Sequence, residues 1–88
     1  MIIYGLQNNN QFVGFGLTDN ILTEQAPWSS TSTTIVSLGE GNDEVVRNIV
    51  DYFTAKLNGS AATPDQYGIV DGCKFTEQGL ALWVAYTN

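Results

Sequence analysis

The side chains in this chain that could do chemistry are few: Cys73, a hydroxyl run at positions 29–34, nine carboxylates and three isolated cations, Arg47, Lys56 and Lys74. There is no histidine, so the default proton shuttle and commonest metal ligand are both missing. Without a histidine partner and with only scattered bases, nothing evident lowers the Cys73 pKa, and the residue reads as a small core side chain. A serine nucleophile from the hydroxyl run would need a base, and only Lys56 or Lys74 is on offer. That run reads as a polar loop.

The carboxylates are not evenly spread. Glu40, Asp43, Glu44 and Asp51 fall together, within and after a glycine-rich turn, Ser37-Leu38-Gly39-Glu40-Gly41-Asn42. A strand-to-helix turn of this kind offers backbone N–H groups to phosphate. This one lacks the lysine and spacing of a P-loop, and its acids occupy the place an anion would take. The alternating D-x-[DN]-x-[DN]-G pattern of a calcium loop is also missing. A glycosidase would need a substrate cleft around its carboxylate pair, which a chain this short with one helix hardly forms. Asn58-Gly59-Ser60 matches a glycosylation sequon but reads as a helix stop. The expectation is therefore a non-enzymatic chain with no catalytic residue, metal or cofactor.

Eighty-eight residues suffice for one core, hence a single domain over residues 1–88. With 43% hydrophobic and 14% charged residues the chain can offset its ordering entropy, so it is expected to fold. A net charge of −6 disfavours nucleic acid and anionic membrane surfaces as partners. No apolar window reaches the ~20 residues of a membrane span. A lone cysteine and a first segment without a basic start or long apolar run point to the cytoplasm.

The elements that must position these groups are read from periodicity. Two apolar segments, 2–6 and 12–17, flank an asparagine-rich stretch that reverses the chain, an opening β-hairpin. Residues 18–32 lose periodicity and read as a long loop, with Pro27 pushing Ala26 out of helical space. A third strand is expected at 33–38, broken by Gly39, Glu40 and Gly41. Asn42 then caps a helix over about 42–58, with Val45, Val46, Ile49, Val50, Phe53 and Leu57 on one apolar stripe. Asp43 and Arg47 form a favourable i,i+4 pair, and Asn58-Gly59 is the left-handed stop.

After a linker at 60–66, residues 67–87 read as two strands. Thr76 to Gly79 would be their hairpin turn, with Gly79 at positive φ, and Asp71-Gly72 is either a bulge or a turn of its own. The order is β-β-β-α-β-β. It describes an α+β two-layer sandwich, mainly antiparallel, with one amphipathic helix on one sheet face.

In that arrangement the strand 79–86 is uncharged on both faces, with Ala81, Trp83 and Ala85 opposite Leu80, Leu82, Val84 and Tyr86. If the helix covers the leucine and valine side, Phe12 and Trp83 share an uncovered face among glycine and alanine. Such a face marks a partner interface, unless the loop containing Pro27 and Trp28 folds back over it. The functional expectation is a small interaction or structural protein, self-associating as a homo-oligomer (a dimer first) or binding a protein partner. Its anchors would be Phe12, Trp83 and Trp28. Small phage and viral accessory proteins share this profile, by analogy only. The alternative is an acidic inhibitor that sets Glu40, Asp43, Glu44 and Asp51 into a basic site on a nucleic-acid-processing enzyme.

Overall fold

In the computed structural model, which describes residues 1–28 and 31–88, the chain is an α+β domain with one four-stranded antiparallel sheet. The opening hairpin pairs β1 (Ile2–Asn8) with β2 (Gln11–Thr18). Its two-residue turn places Asn9 at φ 53° and Asn10 at φ 65°. Both lie in the left-handed region that asparagine tolerates, as a tight hairpin turn requires. The strand order is β2-β1-β3-β4, with β3 at Thr34–Gly41 and β4 at Cys73–Phe75.

Strand β3 runs three residues beyond the expected stop at Leu38, because Gly39 and Gly41 do not break it. They let β4 approach. A Cβ on Gly39 would stand 3.0 Å from the Lys74 carbonyl oxygen, and one on Gly41 would collide with the Gly72 carbonyl. Asp71-Gly72 is a bend ahead of β4, with Gly72 at φ 120°, so the fourth strand begins at Cys73 and not at 67. Residues 64–67 instead form a 3-10 turn closed by Gly68 in the left-handed region.

Segment 18–32 is not all loop. Asn20 caps a short helix α1 (Ile21–Gln25), its side chain accepting the Leu22 and Thr23 N–H groups, and a 3-10 turn follows at Ala26–Trp28. Ala26 is helical at φ −52°, ψ −46°, so the steric bias of a following proline is overridden where the chain tightens into that turn. Helix α1 packs on β3, and the Glu24 carboxylate acts on the Tyr4 phenol. Because Tyr4 alternates with the buried Ile3 and Gly5, α1 lies on the second face of the sheet.

The long helix α2 (Asp43–Leu57) follows the sequence reading closely. Asn42 accepts N–H bonds from Glu44 and Val45, and the stop is a Schellman arrangement in which Gly59 sits at φ 79°. There the Ser60 N–H reaches Ala55 O and the Gly59 N–H reaches Lys56 O. Val46, Ile49 and Phe53 of the stripe are fully buried, with Val45, Val50 and Leu57 half-buried. Tyr52 joins them at 0% exposure, outside the stripe because it faces a third helix. Asp43 pairs with the Met1 ammonium at 3.7 Å, the one ion pair among the described residues.

That third helix, α3 (Glu77–Thr87), replaces the expected last strand. The element order is therefore β-β-α-β-α-β-α. Thr76 is its N-cap, accepting the Gly79 N–H at 3.1 Å, and Gly79 lies inside the first turn, not in a hairpin bulge. Leucine, alanine and glutamine are good helix formers, and a segment apolar on every side carries no period to set helix against strand. Helices α2 and α3 share one face of the sheet. The core of Ile3, Leu38, Val46, Ile49, Tyr52, Phe53 and Ala62 lies beneath them.

Candidate interaction surface

The groups with chemical potential are dispersed. Cys73 is half-buried on β4, and burial pushes its thiol above the ordinary 9.0, partly opposed by a backbone hydrogen bond at Glu40. The thiol is the neutral form near pH 7, a poor nucleophile. Lys74 follows it in sequence but lies opposite Glu40 in the β3–β4 register, so it points to the other side of the sheet from Cys73.

In the hydroxyl run, Ser29 and Ser30 lie outside the described residues. Thr31 Oγ1–H donates to Trp28 O at 2.9 Å, and Asn8 Nδ2–H donates to Ser32 Oγ at 3.1 Å. These hydroxyls tie the segment down locally and across to the hairpin.

The glycine-rich turn before α2 has its amides in use. Gly41 N–H bonds Met1 O, Asn42 N–H bonds Gly72 O, and the Asn42 side-chain oxygen accepts the N–H groups of Glu44 and Val45. Glu40, Asp43, Glu44 and Asp51 are all exposed, but Glu40 is on β3 while the others run along the solvent side of α2. No group of three or more His, Cys, Asp or Glu among the described residues stands close enough to hold a metal ion.

The aromatic anchors do not share an uncovered face. Trp83 sits where α2, α3 and β4 meet, its ring 5.4 Å from Tyr52 edge-on and 5.7 Å from Phe75 stacked. The Tyr52 hydroxyl donates to Tyr86 O at 2.8 Å in the same junction, so Trp83 is a packing residue of the helix layer. Phe12 also lies on the helix side. It stacks on Phe15 at 5.2 Å and covers Gly5, where a Cβ would come within 2.5 Å of its ring. A bulge at Val13 turns Phe12 inward, since Leu6 pairs with Gly14 and Gln7 with Phe12. Trp28 is half-buried in the 3-10 turn that follows α1.

An apolar surface left uncovered among the described residues is the outer side of α3. Helical spacing sends Gly79, Leu82, Trp83 and Tyr86 inward and leaves Leu80 at 51% and Val84 at 47% exposed, flanked by exposed Ala81 and Ala85. Glu77 is the helix's one charged residue. Read as a strand, the same segment sorts these residues into different sets, which is why the surface was not visible in the sequence. The signal that could have found it is Thr76 followed by Glu77, a cap with an acid in the first turn.

Val70 at 74%, Leu22 at 76% and Val13 at 56% are further exposed apolar side chains. None of the helices among the described residues is long and apolar enough to cross a membrane. No family model, curated protein or solved structure matches the chain.

Proposed function

We propose that this chain is a non-enzymatic structural or interaction subunit that associates with its own copies, residing in a reducing compartment such as the cytoplasm. The observation that carries the reading is the outer side of α3. A surface helix of a small domain ordinarily turns charged residues to water, whereas here Leu80, Ala81, Val84 and Ala85 face outward with Glu77 the sole charge. An apolar helix face of this kind is normally buried against another chain. The half-buried free thiol of Cys73 fits a reducing environment.

Sedimentation velocity and light scattering across a concentration series test it. Leu80→Gln with Val84→Gln removes apolar surface without altering charge, and is expected to shift the chain toward smaller species. A chain that is monomeric at every concentration, or one whose association ignores the double substitution, would overturn the reading.

A further inference from the structure

A second surface of the molecule offers main chain where α3 offers side chains. Strand β2 is an outer strand of the sheet, eight residues long, and none of its backbone groups bonds to anything beyond β1 among the described residues. Edges of this length are ordinarily guarded by charge, proline or cover. This one carries no charged residue and no proline, and its guard is the single bulge at Val13. Residues 14–18 beyond the bulge pair regularly with β1. The opposite edge, β4, is only three residues long and includes Lys74.

Charge selects the occupant. No charged side chain precedes Asp19, so all of the hairpin is neutral in a chain of net charge −6. Two copies pairing edge to edge at β2 bring together strands that themselves carry no charge, the nearest carboxylates being Asp19 beyond the strand's end and Glu24 beside the Tyr4 phenol. An antiparallel strand pair is also two-fold symmetric, so a strand is complementary in backbone to its own copy. Centred on Gly16, the pair sets Phe15 opposite Leu17 on the core side and Gly14 opposite Thr18 on the other. Both half-buried apolar residues then gain a neighbour.

We infer that residues 14–18 of β2 pair antiparallel with the same residues of a second copy, joining two sheets into one of eight strands. The inference rests on the reading that the chain self-associates, and it adds a separate joint: α3 packs over β3 and β4, at the far end of the sheet from β2. Copies joined at both ends assemble beyond the dimer.

The test uses the whole chain. A Cβ on Gly14 meets only Leu6 at an ordinary 3.7 Å, so Gly14→Glu fits the fold while placing two carboxylates in the proposed joint. Ala61→Glu, on an exposed linker, controls for the added charge. Gly14→Glu is expected to leave only the species joined through α3, Ala61→Glu to behave as the parent, and Leu80→Gln with Val84→Gln to leave a β2-joined dimer. In the parent chain, amide exchange within residues 14–18 is expected to slow as concentration rises.

An assembly whose size Gly14→Glu leaves as large as the parent's, or an associated parent whose 14–18 amides exchange as fast as in dilute solution, would overturn the β2 joint and leave the α3 reading standing. A chain monomeric throughout removes both.

Discussion

Gly79→Ala tests the placement of α3 more sharply than any other single change. In an open helix the substitution would stabilise by about 0.8–1 kcal/mol, because alanine loses less backbone entropy. Here the new Cβ would lie 2.6 Å from the Leu38 carbonyl carbon and 2.9 Å from its Cα, and would overlap the carbonyl oxygen outright. Those atoms belong to β3, held between β1 and β4, so α3 must yield.

Yielding strains the bonds that fasten its cap, Thr76 N–H to Leu38 O at 3.0 Å and Thr76 Oγ1–H to Ser37 O at 2.8 Å. Overpacking costs about 1–3 kcal/mol, and each bond contributes about 1 kcal/mol. Set against the propensity gain, the net loss is about 2–4 kcal/mol, a Tm drop of roughly 10–25 °C in a chain this size.

Urea unfolding followed by circular dichroism measures it, with Gly79→Asn alongside. Against β3 the larger asparagine is expected to be worse than alanine. In a hairpin turn with positive φ at this position, asparagine would be the better tolerated of the two. Alanine at or above parental stability, or asparagine above alanine, would refute the packing of α3 through Gly79.

Two further outcomes follow from buried groups. Tyr52→Phe removes the hydroxyl that donates to Tyr86 O in the last turn of α3, and is expected to cost about 1 kcal/mol in urea unfolding; an unchanged midpoint would detach that bond from stability. Burial raises the phenols of Tyr52, Tyr86 and Tyr4 above their ordinary 10.0, that of Tyr4 also through Glu24, and the Cys73 thiol above 9.0. The fold thus holds these groups neutral while the unfolded chain ionises them at their ordinary values. Their contribution is whole below those values and is lost as pH rises through the higher folded ones, so the urea midpoint is expected to fall from about pH 9 upward. A midpoint that holds or climbs to pH 11 would contradict this.

The parts of the fold legible in the sequence are those where local chemistry and period agree. Asn9 and Asn10 accept positive φ in a turn between two apolar segments, and Asn42 and Gly59 bound a helix whose buried residues recur at helical spacing. Nothing distant had to be known. Tyr52 escaped the stripe because its burial is created by Trp83 and Tyr67, residues of other elements that close over it.

Glycine carried the signal that was misread. Gly39 and Gly79 look like interruptions of a strand and the pivot of a turn, yet both are places where one backbone comes against another: Gly39 under β4 and Gly79 against Leu38. A missing Cβ serves flexibility and close approach equally well, and a sequence does not say which. Once Gly79 is taken as a contact, residues 80–87 can lie against β3 as a helix, and the surface follows. Trp83 turns inward to the aromatic junction, Leu80 and Val84 turn out, and the proposed interaction surface passes from the sheet face to the outer side of α3 and the bare edge of β2.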